Sequence, residues 1–226
     1  MEILIMYGLI GISLVITLGA QSYITSNYNK YSKVATNGKR TGAEIARKLL
    51  DKHGLQDIKV EQVSGNLTDH YDPKGRVVRL SQSIYSDSSI ASVSVACHEC
   101  GHAIQDKEGY TFLRIRSKLV PVVNLCSYAG YIAILLGSIL SFFGLIWAGI
   151  IAEVVILVFQ LVTLPVEFDA SKRGLKEVKE EGFLNSEELK GGKRMLTAAA
   201  LTYVASVITA ILQIVRLILI YGRRND

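Results

Sequence analysis

The sequence predicts a membrane α-helical bundle of about four spans that carries a small cytoplasmic α+β domain. Half of the 226 residues are hydrophobic and the mean hydropathy is +0.31, although 20% of the residues are charged. The charged residues are concentrated in two segments that lie between long apolar stretches. This composition is too apolar for an ordinary soluble domain, and the segregation of its charges is typical of membrane spans joined by water-exposed segments.

Three apolar stretches define the spans. Residues 3–24 form the first, and the absence of a basic region before them favours a retained anchor over a cleaved signal peptide. Residues 119–166 are long enough for two spans with a reversal at 141–144, and residues 198–221 form the last span. The predicted divisions are a first transmembrane helix (1–26), a cytoplasmic domain (27–118), a transmembrane hairpin (119–166), a cytoplasmic segment (167–197), and a last transmembrane helix with a short tail (198–226).

The distribution of lysine and arginine predicts the orientation. Both polar segments are rich in these residues near the spans, and with four spans the two segments face the same side. The positive-inside rule makes that side cytoplasmic, with Arg223 and Arg224 as outnumbered exceptions. We therefore attribute the net charge of +5 to basic residues that set the orientation in the membrane and contact the headgroups of the lipid bilayer. No basic patch with interleaved aromatic residues is present, so no nucleic-acid partner is expected.

The segment 27–118 predicts a helix, three strands and a second helix. Thr41 and Glu44 form a capping box at the start of the first helix, and Gly54 ends it. Strands are predicted over residues 58–63, 67–71 and 76–80, the last two joined by a turn at 72–75. The second helix is predicted to begin after Asp87 or Ser88 and to end at Gly109.

The second helix carries the pentad His98-Glu99-Cys100-Gly101-His102. Because residues four apart share one helical face, His98 and His102 can present two imidazole nitrogens to one tetrahedral metal. Glu99 lies one position round, where a carboxylate can take a proton from a zinc-bound water whose pKa is lowered towards ~7. The pentad therefore predicts a catalytic zinc site, the alternative being two histidines that only hydrogen-bond within the fold.

A catalytic zinc generally takes three protein ligands, so the pentad requires one more. No further histidine follows it closely, and His53 and His70 lie upstream. Glu167 is the favoured third ligand because it follows the third span on the predicted cytoplasmic side, and Pro165 before it suits the first turn of a helix. The alternative is that Glu167 only begins a solvated amphipathic helix.

Three separated stretches, at residues 67–73, 97–105 and 164–171, resemble the YugP-like family of membrane zinc metallopeptidases. The resemblance implies a zincin-like domain of the gluzincin type that holds one Zn²⁺ per chain through His98, His102 and Glu167, with Glu99 as the catalytic base. The more distantly similar HtpX-type and CAAX-type proteases carry an aspartate four residues after the ligand glutamate, where this chain has Ser171. Asp169 is therefore only a candidate for orienting a zinc-bound histidine.

Other polar residues have weaker functional interpretations. His70 and Tyr71 lie in a strand before the zinc helix and could donate a hydrogen bond to the oxyanion, although ordinary strand residues are the simpler interpretation. Arg173 could contact substrate. The alternative is that it is only one of the basic residues that set the orientation of the chain in the membrane. Cys97 and Cys100 form a Cys-x-x-Cys pair, but on a helix they point away from the histidine face, which favours reduced, buried thiols.

Two charged residues, Glu153 and Arg216, fall within the predicted spans. An ion pair between them would offset the cost of placing each charge in the bilayer. We therefore predict that this pair joins the third and fourth spans. A proton relay of a transporter is the functional alternative.

These observations predict a multi-pass cell-membrane zinc metalloendopeptidase that hydrolyses peptide bonds at the cytoplasmic membrane face. Peptides or membrane proteins are the expected substrates. The alternatives are a catalytically silent zinc-binding membrane scaffold and a small-solute transporter.

Overall fold

The computed structural model describes residues 2–222 and the side chains from residue 4 onward. Met1 and residues 223–226, which include Arg223 and Arg224 of the predicted tail, lie outside the described residues. The elements are α1 (Glu2–Tyr31), α2 (Gly42–Lys52), β1 (Lys59–Val63), β2 (His70–Asp72), β3 (Val77–Ser81), α3 (Gln82–Ser86), α4 (Ile90–Glu108), α5 (Thr111–Ile139), α6 (Phe143–Glu180) and α7 (Ser186–Tyr221). The chain divides into a helical unit (residues 2–21, 114–165 and 201–222) and a mixed unit (22–113 and 166–200).

The helical unit is built from the apolar parts of α1, α5, α6 and α7. Within residues 2–222, these four helices are long and apolar enough to cross a membrane, which agrees in number with the apolar spans that the sequence predicted. Each helix extends beyond the predicted apolar span: α1 continues to Tyr31, and α7 already begins at Ser186. A short reversal between Ile139 and Phe143 joins α5 to α6, as predicted.

Two predictions about the spans are wrong. Pro165 does not begin a helix but lies inside α6, which is continuous from Phe143 to Glu180. Residues on both sides of the proline favour helix, and a membrane-spanning helix tolerates the one hydrogen bond that proline removes. The predicted ion pair between Glu153 and Arg216 is also not formed among the described residues, and Arg216 Nε is buried without a hydrogen-bond partner.

The mixed unit contains a three-stranded sheet in the order β1-β3-β2. β1 is parallel to β3, and β2 is antiparallel to it, with His70 opposite Arg79. β1 and β2 are therefore the two edges of the sheet. The second strand is shorter than the predicted 67–71, because the Asp69 carboxylate accepts hydrogen bonds from the Ser81 main chain and hydroxyl and Leu67 has a positive φ of 57°.

The helix boundaries of the mixed unit follow local signals in the sequence. The capping box of Thr41 and Glu44 is confirmed at the start of α2. Ser89, rather than Asp87 or Ser88, caps α4, since its hydroxyl accepts the hydrogen bond from the Ser92 main-chain N–H. Gly109 ends α4 in the left-handed conformation (φ 68°), as predicted.

The core of the mixed unit surrounds α4. Nearly every side chain of this helix from Ile90 to Gln105 is buried, so the helix has no solvent-facing stripe. The inner faces of α2 and β3 pack against the same core, through residues such as Leu49, Leu80 and Val78. The pentad is therefore held in a helix that is buried along most of its length.

Candidate metal centre

The mixed unit brings together three side chains from α4 and α6. His98 and His102 lie on one face of α4, and Glu167 lies on α6. The Nε2 atoms of His98 and His102 are 3.4 and 3.6 Å from Glu167 Oε2, and one potential ligand atom from each residue lies within 4.8 Å of the others. Residues separated by 65 positions in the chain (102 to 167) thus converge on one point.

Two glycines allow this convergence. A Cβ atom added to Gly101 would lie 2.6 Å from the Ala170 carbonyl oxygen, and one added to Gly174 would lie 3.0 Å from the Cys97 carbonyl group. The first distance is too short for any real side chain, and the second is tighter than nearly all real Cβ contacts; in both cases the obstacle is the main chain. The glycine of the pentad therefore has a steric role: it lets α6 approach α4 closely enough for Glu167 to reach both histidines.

Charged contacts hold the following part of α6 against α2. Glu177 is buried, and its carboxylate accepts hydrogen bonds from Lys52 Nζ at 2.8 Å and from the His53 ring at 2.9 Å. Burial alone would raise the pKa of Glu177, but these two partners outweigh it and hold the pKa below its usual value. Glu177 is therefore a buried anchor that holds α6 against α2.

The three converging side chains are shielded from solvent. The exposed fractions of the His98, His102 and Glu167 side chains are 12%, 8% and 4%. Burial alone would raise the pKa of Glu167, but hydrogen bonding and the charges of His102 and His98 hold it well below its usual range. Glu167 is thus kept as a carboxylate, which is the form that binds a metal ion.

The donor set and the two histidine–glutamate distances fit a zinc ion. In a tetrahedral site with bonds of about 2.0–2.2 Å, neighbouring ligand atoms lie about 3.3–3.6 Å apart. The two histidine–glutamate distances of 3.4 and 3.6 Å lie in this range. Two imidazoles and one carboxylate also leave a fourth position for water or substrate, as in catalytic rather than structural zinc sites.

Hydrogen bonds at the opposite ring nitrogens orient both histidines. His102 Nδ1 lies 3.0 Å from Gln105 Oε1, and His98 Nδ1 lies 3.2 Å from Ser171 Oγ. An amide oxygen can only accept, so Gln105 assigns the His102 proton to Nδ1. With Nδ1 held in this way, Nε2 of His102 is the ring nitrogen that faces Glu167 and that would bind a metal ion.

Gln105 is the residue of this site to which sequence reasoning gave no role. It is fully buried, and its Nε2 donates to the Val166 carbonyl at 2.9 Å and to Asp169 Oδ2 at 2.8 Å. The structure therefore places Asp169 one hydrogen bond further out than expected, in contact with Gln105 instead of a histidine ring. The spacing in the sequence could have identified Gln105 as a partner of His102, because it follows His102 by three residues and shares its helical face.

Replacing Gln105 by methionine is expected to weaken zinc binding by about 10- to 100-fold, the usual cost of losing such an outer partner. The substitution keeps the volume of the side chain but leaves the His102 Nδ1 proton without its acceptor. Zinc affinity of the purified protein is measured by competition with a chromophoric chelator. Ser94→Ala is the control, because it removes a buried α4 hydroxyl that bonds to the Ile90 carbonyl of the same helix. Equal affinities of the two variants would contradict the orienting role.

Glu99 lies beside the three converging residues but is not one of them. Its carboxyl group is buried, and burial raises its pKa to about 7. The charge of His98 lowers this pKa, whereas Glu167 raises it. The Tyr71 main-chain N–H of strand β2 also hydrogen-bonds to Glu99 and lowers its pKa. A buried carboxyl group with a pKa near neutrality is typical of residues that exchange protons during catalysis.

The structure places the three predicted substrate contacts outside the histidine–glutamate group. His70 is exposed and its Nδ1 lies 2.8 Å from the Thr68 carbonyl oxygen, while the Tyr71 hydroxyl donates to Asp106 at 2.8 Å. Both residues lie on the edge strand β2. Arg173 forms ion pairs with Asp169 and Glu108. The side chains of Tyr71 and Arg173 are thus engaged with acidic neighbours, and their roles in substrate contact stay predictions.

The cysteines of the pentad region are separate from the site. Cys97 and Cys100 are buried free thiols, and burial raises the pKa of both. Cys100 Sγ donates a weak hydrogen bond to the Ala46 carbonyl of α2 at 3.6 Å. The predicted reduced, buried state of the pair is confirmed.

Comparison with known proteins agrees with this geometry. The family model described as "Putative neutral zinc metallopeptidase" matches residues 6–222. The chain is 47% identical over 207 residues to the Bacillus subtilis (strain 168) protein named "Putative membrane protease YugP", with 92% of each chain covered. No solved structure matches the chain. The predicted resemblance is confirmed: the chain is a membrane protein that belongs to the neutral zinc metallopeptidase family of this description.

Proposed function

We propose that the protein is a membrane-embedded zinc metalloendopeptidase that hydrolyses peptide bonds at the cytoplasmic face of the membrane. The observation that carries this proposal is the convergence of His98, His102 and Glu167 beside the buried carboxyl group of Glu99. The family description and the name of the relative support a metalloprotease. The cytoplasmic location is supported by the lysine and arginine residues of segments 27–118 and 167–197.

His98, His102 and Glu167 would hold one zinc ion per chain through their Nε2 and carboxylate atoms. Gln105 and Ser171 keep the two rings in the orientation that this requires. A zinc ion bound in such a site lowers the pKa of water and polarises a carbonyl group as a Lewis acid. The low exposure of the three side chains excludes bulk water, which strengthens every electrostatic interaction in the site.

Glu99 is assigned the role of general base. It takes a proton from the attacking water, whose oxygen forms the new bond to the carbonyl carbon of the peptide. It then delivers the proton to the leaving amine nitrogen as the C–N bond breaks. Its position one residue after His98 on a rigid, buried helix fixes the carboxylate beside the reacting atoms.

The sheet offers a surface for the substrate. β2 is an edge strand, and the Tyr71 main-chain N–H is close enough to Glu99 to affect its pKa. An extended peptide can pair with an edge strand through main-chain hydrogen bonds, which requires little side-chain specificity. A helix, edge strand and metal-binding helix in this arrangement support the assignment of the mixed unit as a zincin-like domain.

The test is zinc-dependent cleavage by the full-length protein in lipid nanodiscs. We expect an unfolded substrate such as casein to be cut, the activity to disappear after dialysis against a chelator, and zinc to restore it. Products are identified by mass spectrometry, because new amino termini distinguish peptide hydrolysis from other losses. Cleavage that continues after zinc removal, or a zinc-loaded protein that cuts neither casein nor a panel of membrane-protein peptides, would refute the proposal.

A further inference from the structure

Arg216 is a charged residue of the helical unit that the proposed reaction does not use. It lies in the apolar part of α7, five residues before the last residue of the helix, Tyr221. Its Nε atom is buried without a partner, and no ion pair or hydrogen bond joins its guanidinium group to another of the described residues. A charged side chain at this depth requires an anion or water, because the surrounding hydrocarbon cannot solvate it.

A cavity of about 270 Å³ adjoins Arg216 between α1 and α7. Leu9, Leu14 and Leu212 contribute apolar walls, whereas Ser13 and Gln213 contribute polar groups next to the arginine. The cavity therefore combines one cationic end with an apolar lining. This combination matches an amphiphile that carries a negative group, and it does not match a soluble anion, which would leave the apolar walls without a partner.

The depth of Arg216 indicates which negative group is available. At 1.5 Å per residue, Arg216 lies about 7.5 Å along α7 from Tyr221. An arginine at such a distance from the end of a span extends towards the level of the lipid headgroups. The phosphate of a phospholipid lies at that level, and a guanidinium group binds phosphate through two parallel hydrogen bonds.

We propose that the groove between α1 and α7 is a phospholipid-binding site in which Arg216 holds the lipid phosphate and the leucine walls hold an acyl chain. The phosphate replaces the acidic residue that the sequence led us to expect as the partner of Arg216. The site belongs to the helical unit and is independent of the zinc site. The arrangement also argues against a proton relay through Arg216. Among the described residues this cation has no acidic partner, and a lone cation provides no path for protons.

Thermal unfolding in dodecyl maltoside tests the site. We compare added dioleoyl phosphatidylglycerol, dioleoyl phosphatidylethanolamine, dioleoylglycerol and inorganic phosphate, and follow helix content by circular dichroism. Both phospholipids are expected to raise the Tm of the parent protein by several degrees, whereas dioleoylglycerol and phosphate alone are not. Arg216→Gln should lose this response, and Arg216→Lys should retain part of it. Arg114→Gln, which removes an exposed arginine of α5, should respond like the parent.

A second pair of variants keeps the arginine and blocks the groove. Leu212→Trp fills the cavity and should lose the phospholipid response, whereas Ile218→Trp, on an exposed face of the same helix, should keep it. This pair decides the question even if Arg216→Gln does not fold. An equal response to dioleoylglycerol, or an undiminished response in Leu212→Trp or Arg216→Gln, would overturn the proposal.

Discussion

Glu99→Gln is expected to abolish cleavage and to leave zinc bound. Glutamine has nearly the same shape as glutamate but cannot accept the proton of the attacking water. General-base catalysis of this kind contributes roughly 10²–10⁴-fold to the rate, so activity should fall by at least about 100-fold. Because His98, His102 and Glu167 form the metal-binding group without Glu99, the zinc content should stay at that of the parent. Cleavage of casein and metal analysis of the same sample measure both quantities.

The matched control for this variant is Glu61→Gln. It makes the same chemical change at an exposed position of β1 and should leave cleavage and zinc content unchanged. Activity that survives in Glu99→Gln would assign the cleavage to another base or to a contaminating protease. Loss of zinc from Glu99→Gln would instead give Glu99 a structural role and remove the basis for its assignment as general base.

Glu167→Ala and His98→Ala are expected to lower the zinc content from about one per chain to near zero. Each variant leaves only two ligands, too few for a stable site of this kind. The Glu167 variant should have the larger effect on folding without zinc, because it removes the carboxylate that faces both buried imidazoles. Zinc content after purification in detergent and Tm with and without added zinc provide the measurements.

Glu180→Ala is the control for the third ligand. Glu180 is an exposed glutamate of the same helix, and its replacement should preserve zinc binding. A full complement of zinc in Glu167→Ala would exclude this residue as a ligand. A parent protein that holds no zinc even after reconstitution would leave the histidines as an ordinary hydrogen-bonded pair and would end the peptidase interpretation.

The signals that the sequence expresses locally led to correct predictions. The four apolar helices follow from composition over about 20 residues. The capping box of Thr41 and Glu44 and the helix end at Gly109 follow from residues within one turn of each other. The spacing of His98 and His102 likewise places both rings on one face of a helix before any tertiary contact is known.

Predictions from local sequence patterns were wrong where the structure depends on how separate segments pack. A proline after an apolar run indicated the start of a helix at Pro165, but α6 continues through it to Glu177, which is bound by Lys52 of α2. An ion pair between Arg216 and Glu153 was predicted because each charge needs a partner in lipid. The sequence does not specify, however, which sides of the two helices are in contact. The structure leaves Arg216 beside a cavity instead.

The sequence by itself determined the local pattern of this protein: two histidines and a glutamate on one helix, apolar stretches long enough to span a membrane, and a glutamate further along the chain that is the candidate third ligand. Only the tertiary structure decided which side chains orient that chemistry. Gln105 holds His102, Ser171 holds His98, and Gly101 lets α6 approach closely enough to bring Glu167 to both. The reason is that helical periodicity is a property of neighbouring residues, whereas the approach of two helices depends on how all their side chains pack.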